Sequence, residues 1–512
     1  MAVQIPFTTV SKLNEMAVVE DAFFTSLLQQ CPIRGHEPQW LKDIRQESKS
    51  WLSRLQVPTK KDEDWRFIDL SSLIKTKFIA VGAVRETVAV VRHLRWAGSP
   101  DISKVPKGSA DISETVAVGG FADVMPLWYI SKLSNPEGKL SNPEGEQSLR
   151  EGEQLLRETE QLLPETENSR LVFVNGIYNS ELSNVSGLPE GLYVGDLDSL
   201  PDNYPVPEHF AKQHGAQDAF TALNTTGGAD IAVIWANKNV AVETSIHLIF
   251  ISNSENQASF SQPRALVVAE ESASISLIEE YIGTGEYFTN AVTEVYIKEN
   301  ASVKHTRLQQ ESNRSFHIGK TAVSQARDSH YTIHEINLGG KLSRHNPEIL
   351  QQGEQTETNL NGLTVITGEQ TADTHSIVAL TKPHGTTDQL HKCIVGDRGH
   401  SIFNGRIFVT KEAQLTDATQ LNRNLLLSAQ ARVDTKPELQ ITADNVKCAH
   451  GATVSQLEAD EIFYLRSRGL SQADSNQLLI DAFAAEIIDK LEIESLQTII
   501  TKLIKQKISS ES

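Results

Sequence analysis

The chain has 512 residues, 39% of them hydrophobic, and 47 basic against 66 acidic side chains give a formal charge of −19. That length exceeds one compact core and predicts two or more domains. The acidity excludes nucleic acid and anionic membrane surfaces as main partners, because both demand a basic face. Cys31, Cys393 and Cys448 are few, odd in number and far apart, which speaks against a disulfide framework and for a reducing compartment. The amino terminus lacks a charged region followed by an apolar run, and nothing approaches the roughly 18 apolar residues of a membrane span. The expectation is a soluble, cytoplasmic protein.

Residues 1–96 are expected to form a helical domain: Leu27, Leu28 and Cys31 recur at helical spacing, as do Leu41, Ile44, Trp51 and Leu55 more loosely. The segment contains "KKDEDWRFIDLSSL", in which charges surround Trp65, and an aromatic anchor at a helix end is the simplest reading. Residues 97–170 are expected to be an insertion. "KLSNPEG" occurs at 132–138 and again at 139–145, and "EQSLREG", "EQLLRET" and "EQLLPET" continue the seven-residue step. Asn-Pro-Glu-Gly favours turns and so short an apolar seam makes a weak coiled coil, so the segment is expected to be flexible and to carry no chemistry.

Residues 171–239 are read as a lead-in to a core over 240–450. There, short alternating runs such as "ASISLIEEYI", "ASVKHTRL" and "SHYTIHEINL" follow one another, and Ala273, Ala301 and Ser329 stand 28 apart. Extrapolation at that step reaches Ser245 backward and Ala413 forward. A fixed period with strand-like content predicts stacked coils, each burying one face of its strands. A parallel β-helix fits, and a β-sandwich with coincidental spacing is the alternative. Residues 451–512 are expected to be a helical domain. Ser455 in "SQLE" and Ser471 in "SQAD" are placed to cap helices, and Leu479, Phe483, Ile487 and Leu491 step by four. Such a tail can close the solenoid's open end, present a docking surface, or do both.

Cys448 and His450 are the most suggestive residues. On a strand, positions i and i+2 share a face, and thiolate with imidazole suits iron, zinc or copper(I). Two ligands do not complete a site, and from spacing alone a packed cysteine beside a hydrogen-bonded histidine is the favoured reading. Asp373, His375, His384, His391 and Cys393 cluster within 21 positions but match no zinc-finger spacing, and loop histidines satisfied by solvent are the plain alternative. There is no GxxxxGK[ST] loop, no HExxH and no GxSxG, so ATP, if used, must be supplied by another subunit.

The string "TDATQLNRNLLLSAQARVDTKPELQITADNVKCAHGATVSQLEADEIFYLRSRGL" (416–470), followed by "LLIDAFAAEIIDKL", closely resembles the SufB/SufD family of the SUF iron–sulfur cluster assembly system. "DEDWRFIDL", "LVFVNGIYNSELS" and "SIFNGRIFV" strengthen the likeness, which spans the chain apart from roughly 97–170. The resemblance implies a mainly β protein, with a right-handed parallel β-helix core flanked by helical segments. It implies a non-catalytic subunit pairing with a SufB-like subunit through the β-helix and docking a SufC-like ATPase through the carboxy-terminal helices, with Leu479, Phe483 and Ile487 as candidate contacts. Cys448 and His450 fall on the family's interface pair, so iron or a cluster would be held transiently between subunits and not stably by this chain alone. Leu421 stands where SufB-like chains carry a cysteine, and Gly451 where they carry a glutamate after the histidine. Those departures put the sequence on the SufD side of the family. A homodimer in the absence of SufB is a further possibility under this reading, and a SufB-type scaffold and a carbohydrate-active β-helix enzyme are the alternatives.

Overall fold

The computed structural model describes residues 21–31, 37–80, 169–242, 244–254 and 257–509. The heptad repeats and nearly all of the insertion expected over 97–170 lie outside the described residues. What remains is organised around two long sheets, one eleven-stranded and one ten-stranded, between which the chain alternates.

In chain order the solenoid strands are β1 (Ile231–Ala236), β2 (Ile246–Asn253), β3 (Arg264–Ala269), β4 (Ser274–Thr284), β5 (Tyr287–Ile297), β6 (Ser302–Gln310), β7 (Phe316–Gln325) and β8 (His330–Asn337). They continue as β9 (Leu342–Gln351), β10 (Glu357–Ile366), β11 (Thr371–Leu380), β12 (Thr386–Val395), β13 (His400–Val409), β14 (Asp417–Leu426), β15 (Arg432–Ile441) and β16 (Lys447–Gln456). Odd-numbered strands pair in parallel with odd, and even with even. Each pair of strands is thus one coil of a parallel β-helix, as the alternating runs predicted.

The regular step comes from register. Ser274 pairs with Ser302 and Ser302 with His330, each 28 residues on. At the corner before these strands Ser272, Asn300 and Asp328 take positive φ of 60°, 57° and 55°, a conformation that short polar side chains tolerate. The step is not constant, because turns change length while strands stay aligned, shortening once and lengthening in the later coils. His330 pairs with Glu357, Thr386 with Asp417 and Asp417 with Lys447. Thr416, not Ala413, therefore occupies the place of Ala301, and Ser245 lies level with Ser276 rather than Ala273. The edges of the core also differ from the sequence reading. Arg170–Val174 pairs in parallel with β2 and Leu192–Asp196 pairs antiparallel with β1, so the expected lead-in is already sheet. At the other end β16 runs through Ser455, whose hydroxyl donates to the Asn424 carbonyl at 3.2 Å. Ser455 caps nothing; the next helix begins at Ala459, after Glu458.

Helical segments cover both outer faces. Helices α1 (Ala22–Leu28), α2 (Gln39–Leu52), α3 (Ser71–Lys75) and α4 (Ala219–Gly227) lie on the amino-terminal side. Phe24, Leu27, Leu73, Phe78 and Phe220 pack there against Phe288, Phe316, Ile318 and Ile402 of the odd strands. Trp65 is buried under the Arg344 guanidinium, 4.0 Å from its ring centroid, which makes it the expected anchor. Beyond the solenoid come α5 (Ala459–Ser467), α6 (Gln472–Ile488) and α7 (Glu494–Ser509). Ser471 caps α6 by accepting from the Asp474 amide at 3.0 Å. Ile480, Ala484, Ile487, Ile488, Ile499 and Ile500 then bury against Ile336, Leu363, Leu390 and Ile394 on the outside of the even sheet.

Candidate functional site at the open end of the coil

Alternation decides what faces the interior. On β12, Leu390 and Ile394 join the outer cluster under α6, while Gln389 and His391 hydrogen-bond inward, to Ser376 and Thr364. The interior is apolar near β1–β3 and becomes strongly polar from β4 on. His305 Nε2 meets Glu279 Oε2 at 3.1 Å, His317 Nδ1 meets Glu311 Oε2 at 2.8 Å, and His345 Nδ1 meets Glu335 Oε1 at 3.0 Å, all buried. Burial holds the His345 imidazole down to about 4, the Glu335 carboxylate only partly offsetting it. A side chain at Gly362 would collide with the His391 ring, so the glycine makes room for a buried imidazole.

Among the described residues no coil lies above the last one, and β15 and β16 are exposed or half-buried. Cys448 stands in register with Ala418, and His450 with Gln420. Both lower partners are almost wholly buried and inward, so Cys448 and His450 head two of the inward columns at the rim. Cys448 is half-buried against the interior cluster, and burial raises its thiol pKa; it needs a partner charge or metal to become thiolate. His450 is exposed. Among the described residues no three His, Cys, Asp or Glu side chains are arranged to hold a metal ion. The pair is therefore one thiol and one imidazole on the same open face.

The five-residue histidine cluster is not brought together. His391 and Cys393 face inward on β12, and Asp373 and His375 face outward on β11, where they meet Arg344 and Asp64. His384 occupies a turn at φ 62°. His375 and His391 are buried strand residues satisfied by protein partners, whereas His384 is the exposed turn histidine that the plain alternative describes.

The tail needs one correction. Ile487 is fully buried against the solenoid, so it cannot meet a partner. Leu479 and Phe483 are half-buried, and the Lys392 ammonium lies 4.4 Å from the Phe483 ring centroid. The exposed apolar groups sit elsewhere: Phe463 is 73% exposed, Tyr464 56% and Leu478 46%. Helix α5 contains no buried residue. Sequence periodicity missed it because "ADEIFYLRS" is apolar without a stripe, and that very lack of a one-sided pattern is the available signal.

The polar-lined β-helix, its exposed end coil with Cys448 and His450 at the rim, and the exposed apolar side chains of α5 define a β-solenoid whose end is open among the described residues. The chain belongs to the SufBD family: the model of the SUF system FeS cluster assembly SufBD core domain matches residues 250–483, and that of the SufBD protein N-terminal region matches 160–248. An iron-sulfur cluster assembly SufBD family protein of Synechocystis is 39% identical, covering 93% of either chain. A chloroplastic protein of Arabidopsis thaliana, ABCI7, is 39% identical over 62% of this chain and 69% of its own. The iron-sulfur cluster assembly protein SufD of Escherichia coli is 38% identical over 46% of this chain and 57% of its own. No helix among the described residues is long and apolar enough to cross a membrane.

Proposed function

We propose that this chain is a SufD-type, non-enzymatic subunit of an iron–sulfur cluster assembly complex. It pairs with a SufB-like subunit through the open coil at β15 and β16. It docks a SufC-like ATPase through its carboxy-terminal helices. Cys448 and His450 contribute to holding iron or a growing cluster, which is cargo and not a resident cofactor. The observation that carries this reading is the incomplete pair at the rim of an uncapped coil, since a second subunit seated there would both cover the strand edges and complete the ligand set. The same surface, being available to any matching strand, would also serve a homodimer when SufB is absent.

For the ATPase, the exposed group of Phe463, Tyr464 and Leu478 supports docking at α5 and the start of α6, with Leu479 and Phe483 at the margin. A SufB-type scaffold is disfavoured by Leu421 and Gly451, and family membership removes support for the carbohydrate-active alternative. A cytoplasmic site fits three free cysteines. The test is co-expression with SufB-like and SufC-like partners, followed by iron analysis of the purified complex. His450→Ala should leave the complex intact and strip most of its iron; iron content equal to wild type sinks the ligand role.

A further inference from the structure

Below the rim, the interior amides form two ladders. In one, Gln389 Nε2 donates to Ser376 Oγ at 2.8 Å and Gln420 Nε2 donates to Gln389 Oε1 at 2.8 Å. In the other, Asn422 Nδ2 donates to the His391 carbonyl at 3.0 Å and Asn424 Nδ2 to Asn422 Oδ1 at 2.6 Å. In both, the amide nitrogens of the residues on β14 are spent on bonds within the interior. Each ladder ends in an oxygen without a hydrogen bond: Gln420 Oε1 and Asn424 Oδ1 are buried and accept nothing. Gln420 is only 1% exposed. Its conformation is a built one, because a side chain at Gly405 would collide with its amide.

A buried amide oxygen left without a donor is destabilising. The residue one strand further on is His450, whose Cα is the register partner of Gln420. Adjacent strands lie about 4.8 Å apart, which is within reach of a rotation of the exposed imidazole toward the orphaned oxygen. We propose that Gln420 is the positioning residue for His450: its Oε1 accepts the N–H of one ring nitrogen, fixes the tautomer, and turns the other nitrogen's lone pair outward from the rim. This rests on the reading of His450 as a ligand. The physical reason is general, since an imidazole ligand is oriented by the hydrogen bond that its second nitrogen makes.

The test uses the full chain, free of iron, labelled with ¹⁵N-histidine and held at pH 8. The His450 signals are assigned by their loss in His450→Asn. Wild type should show one tautomer. Gln420→Met, of similar shape but without an acceptor, should give a mixture of both, and Gln420→Glu, which keeps the acceptor, should restore the single form. Circular dichroism controls for folding; if Gln420→Glu does not fold, the contrast of wild type with Gln420→Met decides alone. A single unchanged tautomer in Gln420→Met, or a mixture already present in wild type, overturns the proposal. The iron analysis of His450→Ala is separate: tautomer control without iron loss would uphold the contact and reject the ligand reading, and the reverse would do the opposite.

Discussion

Arg344 should be the most sensitive single position joining the amino-terminal segment to the coil. Its side chain is 2% exposed and forms an ion pair with Asp373, itself 3% exposed. Nη1 also donates to the Asp64 carbonyl at 2.7 Å, Nε donates to Asn346 Oδ1 at 2.9 Å, and the guanidinium covers Trp65 at 4.0 Å. Arg344→Met keeps much of the volume but leaves the Asp373 carboxylate buried without its cation. Breaking a buried pair by removing one partner costs about 3–5 kcal/mol, and a desolvated cation–π contact of about 2 kcal/mol is lost with it, not fully additively. We predict a local destabilisation of about 4 kcal/mol. Every ~1.4 kcal/mol is tenfold in an opening equilibrium, so amide exchange in peptides covering 61–80 and 371–380 should quicken by about a thousandfold. Adding Asp373→Asn should recover part of that loss by removing the stranded charge. Exchange within tenfold of wild type in Arg344→Met, or no recovery in the double variant, refutes the reasoning.

Acid should weaken the fold through its buried histidines. The folded His345 pKa, about 4, lies below the ordinary value of 6.5, so the unfolded chain binds the extra proton first and stability falls as pH drops from about 6.5 to about 4, remaining level below. The loss from this one residue is of order 3 kcal/mol, and His345→Gln should flatten urea midpoints across that window; an unchanged slope contradicts a neutral buried imidazole. In the tail, Ile487→Ala should cost about 2–5 kcal/mol in chemical unfolding because it opens a cavity under α6. Phe463→Asp should leave unfolding within about 0.5 kcal/mol yet weaken ATPase binding by at least about 30-fold, the scale of a hot-spot aromatic. Undiminished binding on titration calorimetry removes α5 from the docking surface.

The solenoid was legible because its repeat is physical: parallel strands in register oblige inward residues to recur once per coil, and Ala273, Ala301 and Ser329 mark that recurrence. The step drifted out of reach where turns lengthened, which is why Ala413 was aligned with Ala301 when Thr416 belongs there. "SQLE" misled because a capping pattern cannot tell a strand's end from a helix's start, and Ser455 is held by the sheet. Ile487 followed a true helical stripe, but a stripe says that a face is buried and not by whom; here the chain's own even sheet covers it. The shared inward side of Cys448 and His450 followed from strand alternation once β16 was granted. The ladders ending at Gln420 and Asn424 left no sequence signal, since glutamine and asparagine are ordinary in polar strands and their alignment exists only between coils.

Hydrogen exchange of residues 447–456 tests the platform most directly, measured in the free chain and in complex with a SufB-like partner. The account predicts that amides of this end strand slow by tenfold or more when the partner binds, while those of α5 slow only on adding the ATPase. A stable complex in which 447–456 exchanges as fast as in the free chain would place the contact elsewhere and contradict it.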